Sequence, residues 1–141
     1  MKYGKLRTLR GQIVVSGGAG KKNVIVADGL VNLGLKIKSF RVWPTTNLPT
    51  SNKWYSILSL DVINSLAEME ASDNRQFAWN YLDHGYSFER SIIDPDHIVN
   101  RDLFLNIIGA STTYNYLIEA QVVELSDDEA IITIIKETSQ Q

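Results

Sequence analysis

The sequence contains no cysteine, which excludes disulfide bonds, thiol catalysis and zinc sites built on thiolates. No apolar run approaches the ~18 residues that a membrane-spanning helix needs. The basic start, Met1 to Arg7, is followed by no apolar stretch, so we expect no secretory signal peptide. The chain is 44% hydrophobic and 21% charged over 141 residues. These values predict one globular domain with a core of its own.

Acidic residues are nearly missing from the first part of the chain. Residues 1–60 hold ten of the 14 Lys and Arg but one of the 16 Asp and Glu, and residues 61–141 hold the other fifteen acids. If the fold keeps the two parts on different surfaces, the molecule is dipolar and head-to-tail self-association is favoured electrostatically. The alternative is that strands from the two parts interleave and the charges mix.

The first ten residues form a basic segment without any acid. Its cations are Lys2, Lys5, Arg7 and Arg10. We interpret residues 1–10 as an N-terminal arm that contacts a neighbouring subunit or, through its charge, packaged nucleic acid. The alternative is a terminus that is solvated or packed locally.

A glycine-rich stretch, Gly17 to Gly20, precedes Lys21 and invites comparison with a phosphate-binding loop. That motif requires glycine and a hydroxyl residue at the places held by Val15 and Lys22, and it must open a helix. Another β-branched stretch follows instead. A glycine-rich hairpin between two strands is therefore the better interpretation.

Short alternating or β-branched stretches recur along the chain, and we interpret eight of them as strands. They are residues 12–16, 23–27, 35–43, 54–60, 76–82, 87–93, 103–108 and 113–125. The apolar phase of the third stretch changes after Ile37, which requires a β-bulge near Lys38 and Ser39 or burial on both sides beyond them. Residues 61–70 fit a short helix or an irregular segment. Without crossover helices between strands, the pattern predicts an all-β, antiparallel β-sandwich of jelly-roll type.

Aromatic side chains suggest two different roles. Trp43 and Trp54 flank a polar loop, residues 44–53, and we expect them to be an exposed pair. Exposed rings on a β-sandwich can stack on sugar faces, so a carbohydrate-binding module is the alternative function. Self-association explains exposed rings equally well. The stretch from Phe77 to Tyr81 carries a ring at every second position, and we interpret these rings as core.

The end of the chain combines a long strand with a capped helix. Thr113 to Leu125 alternates, and composition places Tyr114 and the residues in phase with it in the core. Ser126 and Glu129 have the spacing of a capping box, which predicts a short helix and a tail over residues 126–141. The predicted apolar stripe of the helix consists of Ile131, Ile134 and Ile135. This stripe either closes the core or docks on a neighbour.

The densest polar cluster consists of Asp83, His84, Asp94, Asp96 and His97. Two histidines and three carboxylates could bind a divalent cation or serve a hydrolase, but their spacing matches no defined site. Such residues beside glycine and proline turns commonly cap the backbone, which favours a structural or solvated role. Because nucleophile-elbow and His-Glu-x-x-His patterns are missing, we expect no enzyme activity, no metal and no cofactor.

Three stretches near the end of the chain share a recognisable pattern: Asn-Arg-Asp-Leu-Phe-Leu (100–105), Asn-Tyr-Leu-Ile-Glu (115–119) and Glu-Leu-Ser-Asp-Asp-Glu-Ala (124–130). Together they resemble the end of small virion structural proteins of marine viruses and phages. The resemblance implies a structural role in a particle, as a capsid or capsid-decorating protein. It brings no catalytic residues with it.

The sequence therefore predicts a non-enzymatic structural protein of a virus particle that acts by symmetric self-assembly. Its expected partners are copies of itself, other virion proteins and, through the basic arm, packaged nucleic acid. Its expected location is the virion, assembled in the host cytoplasm. The predicted organisation is a basic arm at 1–10, a β-sandwich at 11–125 and a capped helix with a tail at 126–141. The residues expected to make contacts are Lys2, Lys5, Arg7, Arg10, Trp43, Trp54, Ile131, Ile134 and Ile135.

Overall fold

In a computed structural model, the described residues form two antiparallel β-sheets and almost no helix. The structure describes residues 2–24, 33–45, 53–60, 69–73, 75–82, 89–99, 102–126, 128, 129 and 132. Its strands are β1 (Lys2–Val14), β2 (Ala19–Val24), β3 (Leu33–Pro44), β4 (Trp54–Ser59), β5 (Gln76–Leu82), β6 (Arg90–Ile93), β7 (Ile98–Val99), β8 (Leu103–Gly109) and β9 (Thr113–Glu124). The predicted all-β class with two antiparallel layers is confirmed. Most of residues 61–70 lie outside the described part.

The strands pair in a nested order, the first with the last. β1 pairs with β9, β2 with β8, β3 with β7 and β4 with β5, always antiparallel. Further pairings complete two sheets with the orders β1-β9-β3-β7 and β2-β8-β4-β5-β6. Strands from the basic part of the chain therefore lie beside strands from the acidic part. Of the two alternatives for the charge, mixing is the one that the topology favours.

The core lies between the inner faces of the two sheets. On β9, the face predicted from composition is buried and includes Tyr114, Tyr116, Ile118 and Ala120. From the other sheet, the buried side chains of Leu103, Leu105 and Ile107 pack in the same cluster. Each fully buried side chain of this size contributes about 1.5–3 kcal/mol relative to its exposed state, so this interface dominates stability.

β3 contains the predicted bulge. Its register against β9 shifts between Ile37 and Ser39. The extra residue lets the apolar side chains on both sides of it face one core. These side chains, all buried, belong to Leu35, Ile37, Phe40 and Val42.

β5 contains a second bulge that the alternation of its rings did not predict. The register against β4 skips Phe77, which is the extra residue and is buried in the core. After the bulge, Ala78 and Asn80 are buried, whereas Trp79 and Tyr81 face outward and are half-buried. The prediction that all three rings share a core face is wrong for Trp79 and Tyr81, because one extra residue reverses the phase of the strand.

The buried carboxamide of Asn80 joins the two sheets. From β5, its Oδ1 accepts a hydrogen bond from the Val42 N–H at 3.1 Å, and its Nδ2 donates to the Phe40 carbonyl at 3.3 Å. Both partners lie on β3 beyond Lys36, where β7 no longer pairs with it. The amide thus takes the place of a neighbouring strand. Ser91, the partner of Asn80 on β6, donates its hydroxyl to the same Phe40 oxygen.

The predicted N-terminal arm is part of a strand. Residues 2–10 belong to β1, which continues through residue 10 to Val14. A tight glycine turn follows it, with φ angles of 67° at Gly17 and 90° at Gly18, values that favour glycine. The prediction of a hairpin is wrong, because β1 and β2 do not pair with each other. Because β1 and β2 belong to different sheets, this turn carries the chain from one layer to the other.

The predicted capping box forms after β9. The Ser126 N–H donates to Glu129 Oε1 at 3.1 Å, and the Glu129 N–H donates to Ser126 Oγ at 3.2 Å. The hydrogen bond from the Ser126 backbone lowers the pKa of the Glu129 carboxyl. Ile132 is helical and exposed. Three predicted contact residues lie outside the described part, so their packing stays a prediction: Ile131, Ile134 and Ile135.

We expect Asn80→Leu to destabilise the fold, although leucine suits a buried strand position. The substitution removes the acceptor of the Val42 N–H, and each buried polar group left unpaired costs about 1–3 kcal/mol. Urea unfolding should show a lower midpoint with a loss of about that size. Asn23→Leu, at an exposed position of β2, is the matched control and should change stability by less than ~0.5 kcal/mol. Equal stability of Asn80→Leu and the parent protein would contradict the role of Asn80.

Candidate functional site

The predicted cluster of aspartates and histidines makes local structural contacts. Within the described part of the chain, no group of three or more His, Cys, Asp or Glu side chains is placed to hold a metal ion. Asp94 Oδ1 accepts from the Asp96 N–H at 3.0 Å, the backbone cap expected of a turn residue. His97 stacks on Phe77 with ring centroids 4.6 Å apart. Two members of the cluster, Asp83 and His84, lie outside the described residues.

β1 forms one edge of the four-stranded sheet and, among the described strands, pairs only with β9. Its exposed cations are Lys2, Lys5, Arg7 and Arg10. Apolar side chains are exposed as well, with 56% of Tyr3 and 69% of Leu6 accessible. Lys22 Nζ donates to the Gln12 carbonyl at 3.1 Å and covers β1 at that point. The remaining open edge, residues 2–10, can pair with another chain.

The outer face of this sheet carries a polar and aromatic row. The register places Gln12 of β1, Asn115 of β9 and Trp43 of β3 side by side. Gln12 Nε2 donates to Asn115 Oδ1 at 3.0 Å, and 43% of Trp43 is exposed. This Trp43 row (Gln12, Asn115 and Trp43) combines a flat ring with two carboxamides. It can therefore stack on a ligand and hydrogen-bond it on the same surface.

Trp54 does not belong to this row. It is 8% exposed, and its ring centroid lies 6.1 Å from that of Tyr114 in the core. Along β4 it is in phase with Leu58, which is fully buried. The expectation of an exposed pair is therefore correct for Trp43 and wrong for Trp54, because the phase of β4 points the second ring inward.

The outward-facing rings of β5 line a groove on the outer face of the five-stranded sheet. The groove has a volume of about 240 Å³ and is lined by Met69, Ala71, Trp79, Tyr81 and Ile92. Ile92 belongs to the edge strand β6 and is 53% exposed. Tyr81 stacks with Tyr55, their centroids 6.4 Å apart, which extends the aromatic surface along the sheet. We call these five lining residues the Trp79 groove.

Gln76 fixes both sides of the Trp79 groove. Its Oε1 accepts from Trp79 Nε1 at 2.8 Å and from the Glu70 N–H at 2.9 Å. The first hydrogen bond orients the indole, and the second holds the segment around Met69 over the sheet. Met69 packs there against Ile57, a residue of β4 that is fully buried. The groove is therefore a built surface and not a gap between loose side chains.

A structured turn supports the same segment. Asp73 Oδ1 accepts from the Arg75 N–H and from Arg75 Nε at 3.0 Å each, and Asp73 Oδ2 accepts from Arg75 Nη2 at 2.8 Å. Hydrogen bonding to the Arg75 side chain holds the pKa of the Asp73 carboxyl below its ordinary value. The carboxylate therefore stays ionised at neutral pH and keeps the turn closed.

Sequence alternation places Trp79 and Tyr81 in the core and so misses the groove. The opposite phase of β5 contains Ala78 and Leu82, which are also compatible with a core position. Either set of alternating residues on β5 was therefore compatible with a position in the core. The bulge at Phe77 determines which set faces inward. The presence of core-compatible residues in both alternating sets was the signal in the sequence that the rings could face outward.

Comparison of the chain with protein-family models, with curated proteins and with solved structures finds no match. The resemblance to virion structural proteins therefore stays a prediction. Among the described residues, no helix has the length and apolarity needed to cross a membrane. Three surfaces of the described part are candidates for the function: the open edge of β1, the Trp43 row and the Trp79 groove.

We expect Gln76→Met to destabilise the protein and to loosen the groove. The change removes the acceptor shared by the half-buried Trp79 Nε1 and the Glu70 N–H, and each lost hydrogen bond is worth about 0.5–1.5 kcal/mol. Urea unfolding measures the loss. Gln121→Met is the matched control, since its hydrogen bond to the Gly4 carbonyl is exposed and is worth little. Equal effects of the two substitutions would show that Gln76 does not support the groove.

Proposed function

We propose that the two sheets form a jelly roll and that the protein is a non-enzymatic structural subunit of a virus particle, as a capsid or decoration protein. The observation that carries the proposal is the nested pairing of β1 with β9, β2 with β8, β3 with β7 and β4 with β5. A jelly roll is built from antiparallel pairs nested in this way and laid out in two sheets, and viral capsid and lectin domains use it. We infer the capsid role from this fold by analogy. The resemblance of residues 100–130 to virion proteins points in the same direction.

Self-assembly needs a surface that a single chain leaves uncovered. The open edge of β1 provides unpaired strand length together with the exposed side chains of Tyr3 and Leu6. Pairing this edge with another copy would satisfy its backbone groups and bury both apolar side chains. The proposed mechanism is therefore association through β1 without catalysis.

The basic residues of β1 have a place in the same proposal. Lys2, Lys5, Arg7 and Arg10 would contact a neighbouring subunit or packaged nucleic acid in a virion assembled in the host cytoplasm. The segment after Ser126 would continue as a short helix, with Ile131, Ile134 and Ile135 either closing the core or docking on a neighbour.

We expect the double substitution Tyr3→Ser/Leu6→Ser to weaken assembly. Both side chains are exposed in the single chain, so the fold should be retained while the association constant falls by about tenfold or more. Light scattering over a range of protein concentrations measures the mass of the assembly.

The matched control for this experiment is Trp43→Ala, which removes an exposed ring away from the open edge and should leave assembly intact. A parent protein that is monomeric at every concentration and salt level would refute the assembly proposal. Assembly that is insensitive to the Tyr3 and Leu6 changes would refute the role of β1.

A second function is favoured by the Trp43 row. Jelly rolls also occur in lectins, and an exposed indole beside Asn115 and Gln12 offers the stacking and hydrogen-bonding groups that a pyranose ring needs. We therefore keep carbohydrate binding as the alternative. The proposed glycan site contains Trp43 but not Trp54, because Trp54 is buried.

If the alternative holds, Trp43→Ala and Asn115→Ala should each weaken glycan binding by about tenfold or more. Binding to a glycan array, followed by calorimetry with the best glycan, provides the measurement. The Tyr3→Ser/Leu6→Ser variant should bind glycans normally. Absence of glycan binding by the parent protein, or unchanged binding by Trp43→Ala, would dispose of this function.

A further inference from the structure

The Trp79 groove has the size of a side-chain pocket. Its volume of about 240 Å³ lies below the ~300–1,000 Å³ that is usual for small-molecule sites. The groove is apolar and aromatic, and it opens outward beside the edge strand β6. Within the described part of the sheet, β6 pairs with β5 along one side and with no strand along the other. An extended segment lying along β6 would therefore place a side chain at the groove.

The open edge of β1 has the properties that this position requires. It is already extended, it pairs with no described strand on its open side, and it exposes Leu6 and Tyr3. In the register, Leu6 lies opposite Gln121 on the outer face of its sheet. The Trp79 groove lies on the outer face of the other sheet. When the edge of β1 pairs with the edge of β6 in another copy, the outer faces of the two sheets can form one continuous surface. In that arrangement, Leu6 lies beside Ile92 and the groove.

The charges of the two surfaces are complementary. β1 carries Lys2, Lys5, Arg7 and Arg10 and no acid. Among the described residues that adjoin the groove in sequence, Glu70 beside Met69 and Asp94 directly after β6 are exposed carboxylates, and Arg90 carries an exposed guanidinium. Opposite charges attract most strongly at low salt. Pairing of β1 with β1 would instead bring two rows of cations together.

We propose that β1 of one copy docks along β6 of a second copy, with Leu6 or Tyr3 seated in the Trp79 groove. The interface is heterologous, since the open edge of one chain meets the groove of the next. Repetition of such an interface yields rings or open filaments. This inference rests on the proposed assembly function and names the surface that receives β1.

The test uses two variants that block opposite sides of the interface. Tyr3→Ser/Leu6→Ser removes the inserted side chains, and Ile92→Lys places a cation at the groove opposite the basic strand. Each variant alone should be monomeric, with association weakened by about tenfold or more. Mixed together, the two variants retain one intact β1 and one intact groove, so they should form a complex of two chains and no larger species. Sedimentation velocity and light scattering measure these masses.

Two controls accompany the mixing experiment. Trp43→Lys introduces a cation at an exposed apolar residue away from both the open edge of β1 and the groove, and should leave assembly unchanged. Unfolding midpoints of all variants should match the parent, which separates lost docking from lost folding. Assembly of the parent should also weaken as salt rises, because the proposed contact joins opposite charges.

The outcomes distinguish this inference from the proposed function. If the parent protein is monomeric, both the proposed assembly function and the docking of β1 on the groove are refuted. A parent that assembles, together with an Ile92→Lys variant that still assembles, would leave the proposed function standing and overturn the docking. Two monomeric variants whose mixture stays monomeric would also overturn it, because a heterologous interface must be restored by mixing. Assembly that strengthens with salt would favour pairing of β1 with β1 and count against the groove.

Discussion

The carboxamide of Asn80 is the contact on which the arrangement of the two sheets depends. β7 covers β3 only near Leu35 and Lys36, so the following residues of β3 would otherwise present unpaired backbone groups. Asn80 supplies both an acceptor and a donor to Val42 and Phe40 from inside the core. A buried side chain can do this because a carboxamide carries the same pair of groups as the backbone. The contact holds one edge of the first sheet against the inner face of the second.

With the sheets held in this way, two bulges decide which side chains remain outside. The bulge of β3 keeps Phe40 and Val42 in the core and leaves Trp43 on the outer face. The bulge at Phe77 places Asn80 inward and therefore Trp79 outward. The inter-sheet hydrogen bonds and the Trp79 groove thus follow from the same extra residue. A strand without it would place the rings inside and the carboxamide in solvent.

The surfaces left uncovered by this architecture differ in chemistry. The open edge of β1 is basic, extended and partly apolar, whereas the Trp79 groove is apolar with exposed carboxylates nearby. Leu6 of β1 and the rings of the groove lie on the outer faces of their sheets, so these side chains do not take part in the core. The proposed docking would join these two surfaces and so favour association in a single direction. The Trp43 row is separate from both and is available to a ligand.

Local sequence pattern was sufficient for those features that depend on neighbours along the chain. Alternation identified most strands and the buried face of β9, the change of phase in β3 revealed its bulge, and the spacing of Ser126 and Glu129 predicted their reciprocal hydrogen bonds. Pairing between distant strands decided everything else. The mixing of basic and acidic strands, the inward turn of Trp54 and the outward turn of Trp79 depend on which strand lies alongside. A bulge of one extra residue exchanges the inward and outward faces of a strand. The position of the bulge is seen only in the register of that strand with its neighbour in the sheet.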